Sequence, residues 1–173
     1  MEDEHLASAV AAGIIGRLGP RFARRGRTKG TVVLAMPEGE RHHLGLAMLA
    51  DILRSNGYRT LNLGADTPAS ALVAALRQVE DLSAVAIGVV NADRRAAATS
   101  LIKAVRRSFA GVPVVAGGAA VPDQEAALSL GADGGATDAR AVGALISAIA
   151  ASPLKARQTP GTAPRRRRSS GES

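Results

Sequence analysis

The chain has 173 residues, the size of a single domain, and is 46% hydrophobic but only 2% aromatic. It holds no Cys, which excludes disulfides, thiolate zinc sites, iron–sulfur clusters and cysteine nucleophiles. Tyr58, Phe22 and Phe109 are its only Tyr, Phe or Trp residues, too few for a platform that stacks single-stranded bases. The net charge of +7 sits on the flanks. Beyond Ala151 six basic residues face one acid, and five more lie between Arg21 and Lys29, whereas Gly30 to Ala151 carries ten basic residues against eleven acids. No apolar run reaches the ~18 residues of a membrane span, and the acidic start Met1-Glu2-Asp3-Glu4 is unlike a secretion signal. A soluble, cytoplasmic protein is the expectation.

Leu6 to Leu18 has helical apolar spacing and stops at Gly19-Pro20, and Arg21 to Gly30 reads as a basic linker. A regular alternation then begins. Strands are expected at Thr31–Met36, Arg59–Leu63, Ala84–Val90 and Val112–Ala116, with a weak last one near Ala132–Ala136. Helices are expected at His43–Ser55, Pro68–Val79 and Asp93–Phe109, then a short one near Asp123–Leu130 and a last one at about Asp138–Ala150. β-branched runs without polar alternation, each followed by a helix, indicate a parallel sheet covered on both faces. The fold class is therefore α/β: a flavodoxin-like (Rossmann-like), doubly wound five-stranded sheet of order 2-1-3-4-5. The expected organisation is an N-terminal helix and linker over 1–29, an α/β domain over 30–151 and a disordered basic tail over 152–173. The tail is read as solvated rather than as a polyanion-binding arm.

Ligands of open α/β sheets bind beyond the carboxyl ends of the strands. The loop after the first strand reads Pro37-Glu38-Gly39-Glu40-Arg41-His42-His43-Leu44-Gly45 and carries two of the three histidines in the chain. Imidazole is the commonest metal ligand, and a carboxylate two residues away can hold its second nitrogen. Gly88-Val89-Val90 ends the third strand and Gly117-Gly118 follows the fourth, places where a ligand can approach the backbone closely.

Glu40-x-His42-x-x-Gly45, the end of the third strand and Gly117-Gly118 together resemble the cobalamin-binding domain family. That family shows D-x-H-x-x-G, S-x-L and G-G at these places, and the likeness covers roughly Gly30 to Ala150. It implies cobalamin, as adenosylcobalamin or methylcobalamin, bound base-off with His42 as the lower cobalt ligand. Glu40 would then hydrogen-bond the other ring nitrogen of His42. Arg41, His43, Leu44 and Gly45 would lie against the corrin, Gly45 permitting close approach. Gly88, Val89, Val90, Gly117 and Gly118 would line a channel for the displaced base and its tail. Two departures stand out: Glu40 replaces Asp, and Gly88-x-Val90 lacks the serine hydroxyl.

The Glu variant, Pro37-x-Gly39-Glu40-x-His42-x-Leu44-Gly45 and Leu63-Gly64-Ala65-Asp66-Thr67-Pro68 are similar to the cobalamin domains of light-responsive MerR-type regulators. Glu4-His5 stand where that subgroup has a Glu-His pair over the upper corrin face; its Trp and winged helix have no counterpart here. The resemblance implies a sensor or regulatory module, not itself an enzyme, without sequence-specific DNA binding of its own. Its upper face would be covered by a homo-oligomer or a separate partner subunit, with no membrane involved. The competing function is a corrinoid carrier subunit of a methyltransferase or mutase system. A phosphate receiver fits poorly, because the first strand ends at Met36-Pro37 without an acid and no Lys lies near the last strand. No carboxylate pair, Ser-His arrangement or phosphate loop marks a catalytic centre.

Overall fold

The computed structural model describes residues 27–151. The expected helix at Leu6–Leu18, the Glu4-His5 pair, most of the basic linker and the basic tail lie outside the described residues. Five strands form one parallel sheet: β1 (Thr31–Ala35), β2 (Arg59–Asn62), β3 (Leu82–Gly88), β4 (Val114–Gly117) and β5 (Gly134–Ala136). Their order is β2-β1-β3-β4-β5, as the sequence predicts. The helices are α1 (Leu44–Ser55), α2 (Ala69–Arg77), α3 (Arg95–Ser108), α4 (Gln124–Ser129) and α5 (Ala139–Ala151).

Strand side chains alternate between two cores. Val33, Val85, Ile87 and Val114 pack with Leu72 and Leu76 of α2, Leu101, Ile102 and Val105 of α3 and Ala127 of α4. Val32, Leu34, Ala84, Ala86 and Val115 pack on the opposite face with Leu46, Leu49 and Leu53 of α1 and Val142 and Ile146 of α5. Both faces of the central strands are therefore apolar, and Val32 to Ala35 are fully buried. β2 is an edge strand, and its Arg59 and Asn62 are exposed.

The boundaries differ in instructive places. The third helix is preceded by a 3₁₀ turn at Ala92–Arg94, so α3 starts at Arg95 rather than Asp93. β3 starts earlier and stops at Gly88, which leaves Val89 and Val90 in the loop beyond it. β4 begins at Val114 rather than Val112, because Pro113 precedes it and lacks the N–H a ladder needs. His43, expected as the first helical residue, is the N-cap of α1 and makes no side-chain capping bond.

The chain leaves β1 through α1 to reach β2 on one side, then returns through α2 to pair β3 on the other. This reversal opens a crevice beyond the carboxyl ends of β1 and β3. The two loops at its edge brace each other. Met36 N–H donates to Gly64 C=O at 3.0 Å, Thr67 N–H to Met36 C=O at 2.9 Å and Asp66 N–H to Glu40 C=O at 3.0 Å. The Asp66 carboxylate accepts from Gly39 N–H at 2.7 Å. Asp66 is the only non-glycine described residue with positive φ (51°), a conformation that Asp tolerates better than most residues.

Candidate functional site

Glu40 lies at the bottom of this crevice with its side chain 0% exposed. A buried carboxylate is costly unless its lone pairs are met. Here Oε2 accepts from the backbone N–H groups of Val90 (3.0 Å) and Asn91 (2.8 Å). Oε1 accepts from Arg41 N–H (3.0 Å), His42 N–H (3.3 Å) and Asn91 Nδ2 (3.0 Å). The His42 ring completes the set, with Nδ1 at 2.8 Å from Oε1. Burial alone would raise the carboxyl pKa, but the Asn91 N–H, the His42 ring and the Val90 and His42 N–H groups outweigh it and lower Glu40 to about 2. The group is therefore a carboxylate at neutral pH.

An ionised carboxylate only accepts, so the neutral His42 ring would carry its proton on Nδ1 and leave the lone pair on Nε2. Glu40 is hidden while the His42 side chain is 62% exposed. The pair thus presents one oriented imidazole nitrogen, Nε2, at the mouth of the crevice. Among the described residues no three His, Asp or Glu side chains gather to hold a metal ion. His42 is a single donor.

Behind His42 a cleft of about 110 Å³ runs between the sheet and helices α1 and α5. Its floor includes Gly88 and Gly117, which are in register on neighbouring strands, and Gly117 is in turn in register with Ala136 of β5. Leu46 and Leu49 of α1 and Val142 of α5 form its walls. The glycines have different reasons to be there. A Cβ on Gly118, where φ is +116°, would stand 2.4 Å from Val89 O, so this position admits no side chain. A Cβ on Gly45 would meet nothing within 4 Å, so the first turn of α1 leaves open space beside His42. A flat macrocycle carrying a metal fits that arrangement: an oriented imidazole, a bare helix turn next to it, and an apolar slot for an appended arm.

The B12 binding domain model matches residues 30–143. The chain belongs to the B12 binding domain family. As a B12 binding domain it is a cobalamin-binding module, and the matched residues contain Glu40 and every residue that lines the cleft. It is 35% identical over 139 residues to the HTH-type transcriptional repressor CarA of Myxococcus xanthus, covering 75% of this chain and 44% of the repressor. It is 42% identical over 52 residues to the methanol–corrinoid protein of Methanosarcina barkeri, covering 30% of this chain and 20% of that protein. The chain thus spans less than half the length of these relatives. The fold matches that in the methanol:cobalamin methyltransferase complex MtaBC from Methanosarcina barkeri, with a TM-score of 0.66, 24% identity, and coverage of 77% of this chain and 53% of that one. It also matches the monomethylamine corrinoid protein of the same organism, with a TM-score of 0.68, 19% identity, and coverage of 85% and 70%.

The B12 binding domain brings most of the residues singled out in the sequence to one place. His42, Gly45, Gly88, Val89, Val90, Gly117 and Gly118 all line the cleft, and Glu40 lies beneath it. Arg41, His43 and Leu44 are not among the lining residues. Arg41 and His43 are exposed, and the His43 ring contacts Arg41 C=O at 3.3 Å. Asn91 was not singled out, though it follows Val90 directly and makes two hydrogen bonds to Glu40. Thr137, one residue past β5, also lines the cleft. No pattern in the sequence distinguishes it from an ordinary loop threonine.

Proposed function

We propose that this chain is a cobalamin-dependent sensor or regulatory module in which His42 Nε2 ligates cobalt from below. The observation that carries the ligation is the buried Glu40 carboxylate, which holds Nδ1 and leaves Nε2 free at the cleft mouth. Glu40 keeps the imidazole neutral-donor tautomer in place, Gly45 leaves room for the ring, and the apolar cleft takes the displaced nucleotide arm. Bound cobalamin would supply the cobalt–carbon chemistry, and the protein's part is ligation and orientation. On this reading the chain performs no catalysis of its own.

Similarity to the transcriptional repressor over 139 residues supports the regulatory role. The 52-residue similarity to the methanol–corrinoid protein favours the second reading, a corrinoid carrier subunit. In either role the upper corrin face is covered by a second copy or by a partner subunit. The chain has no recognition helix among its described elements, and sequence-specific DNA binding is not part of the proposal.

Reconstitution tests the ligation. Purified protein loaded with cobalamin should show a base-off, His-on spectrum, and in the cobalt(II) state the nitrogen coupling should change when histidine is ¹⁵N-labelled. Coupling that ignores the label would remove His42 from the cobalt. To separate the two roles, adenosylcobalamin-loaded protein is sized in the dark and after illumination. A light-dependent change of assembly supports the sensor, whereas methyl transfer to a partner enzyme with unchanged assembly supports the carrier.

A further inference from the structure

The cleft behind His42 is lined almost entirely by hydrocarbon. Of its lining side chains only His42 and Thr137 carry polar atoms, and the His42 ring is committed to Glu40 on one side. Gly88 offers no hydroxyl, and a Cβ there would stand 3.1 Å from Met36 Cε and 3.4 Å from Leu46 Cδ1. Thr137 follows Ala136, which is in register with Gly117 and, through it, with Gly88. It therefore stands at the strand ends beside Gly118, at the far side of the cleft floor from His42's strand. Thr28, Thr31, Thr67 and Thr99 all engage their hydroxyls within the fold. The Thr60 hydroxyl is buried without a partner on β2, away from the residues that line the cleft, whereas Thr137 is an exposed residue at the cleft whose hydroxyl makes no hydrogen bond to another described residue.

An appended arm entering this cleft carries polar acceptors: the ring nitrogen that has left cobalt, and a phosphate. In an apolar slot each loses water and is costly unless a donor replaces it. We infer that Thr137 supplies that donor, its O–H hydrogen-bonding an acceptor on the nucleotide arm of the corrinoid, so that Thr137 determines which lower arms this chain prefers. The inference rests on the proposal that the cleft receives that arm.

Binding of three corrinoids to wild-type, Thr137→Val and Thr137→Ser protein tests it, read by the spectral change on titration. Cobalamin has the base and the phosphate, a cobamide with a phenolic base lacks the ring nitrogen, and cobinamide lacks the nucleotide arm altogether. Thr137→Val should weaken cobalamin about tenfold, the size of one lost hydrogen bond, and leave cobinamide unchanged. Thr137→Ser should restore affinity. The phenolic cobamide assigns the acceptor: unchanged affinity points to the ring nitrogen and reduced affinity to the phosphate. Equal affinity of wild type and Thr137→Val for cobalamin, or an equal loss for cobinamide, overturns the inference. Folded wild-type protein that binds none of the three would instead overturn the proposed function.

Discussion

At the scale of single residues, the site depends on an asymmetry between two adjacent histidines. His42 is held by a buried carboxylate at 2.8 Å, whereas His43 is exposed and contacts a backbone carbonyl at 3.3 Å. His42→Ala should abolish the His-on spectrum while circular dichroism and melting temperature stay near wild type, because the ring is 62% exposed and packs little. His43→Ala should keep the spectrum. Reversal of the two effects would place the ligand one residue later. Glu40→Gln is more damaging than a change of one atom suggests. Oε1 and Oε2 both accept, so an amide nitrogen in either place turns acceptor into donor and faces N–H groups with N–H. The expected cost is about 1–3 kcal/mol of stability. Affinity for cobalamin should fall about 10–100-fold, as for other groups that orient a metal ligand. Chemical denaturation and titration measure the two separately.

At the scale of elements, the loop after β1 is positioned by its neighbours rather than by its own helix cap, since His43 makes no capping bond. The turn after β2 grips it through Gly64, Asp66 and Thr67, and the end of β3 grips it through Val90 and Asn91. The loop after β4 is equally constrained. Val89 C=O accepts from Ala120 N–H at 3.1 Å and lies where any side chain on Gly118 would go. Gly118→Ala combines a strained φ with this clash, and each such backbone strain costs of order 1–3 kcal/mol. Its melting temperature should drop clearly, with cobalamin affinity falling alongside because Gly118 lines the cleft. Gly45→Ala is the contrasting case. Its added Cβ meets nothing, so stability should hold or rise slightly with helix propensity. Only ligand affinity should fall if the corrin occupies that space.

At the scale of the whole molecule, two carboxylates tie stability to pH in the same direction. Glu40 is lowered from 4.5 to about 2 in the fold. Asp81 is lowered by its hydrogen bond from Thr31 and, against some burial, by Arg59. A depressed folded pKa contributes stability that is complete above the unfolded value and is lost as pH falls towards the folded one. For Glu40 the loss runs from about pH 4.5 down to about pH 2, and at ~1.4 kcal/mol per pKa unit it amounts to about 3 kcal/mol. Urea unfolding followed over that range should show the midpoint decline, and Glu40→Gln should flatten most of it. An equally steep decline in the Gln variant would assign the acid sensitivity to other carboxylates.

The architecture was legible in the sequence because each strand of a doubly wound sheet is buried on both faces. Val32-Val33-Leu34 and Val85-Ala86-Ile87 read as unbroken apolar runs, and each is followed by helical spacing. The Glu40-x-His42-x-x-Gly45 loop was legible for a local reason. Carboxylate, imidazole and glycine lie within six residues, so their relation survives without knowledge of the fold. What the chain order hides is everything that depends on residues fifty or more positions apart meeting in the crevice. Asn91 reaches Glu40 only because β1 and β3 are neighbours in the sheet, although β2 separates them along the chain. Thr137 enters the cleft because β4 and β5 run in register beyond them. That Arg41 and His43 point away while Glu40 turns inward is likewise not written in the loop. It follows from burial: the carboxylate is drawn under the strand ends by N–H groups of β3's loop, and the side chains on either side of it are left in water.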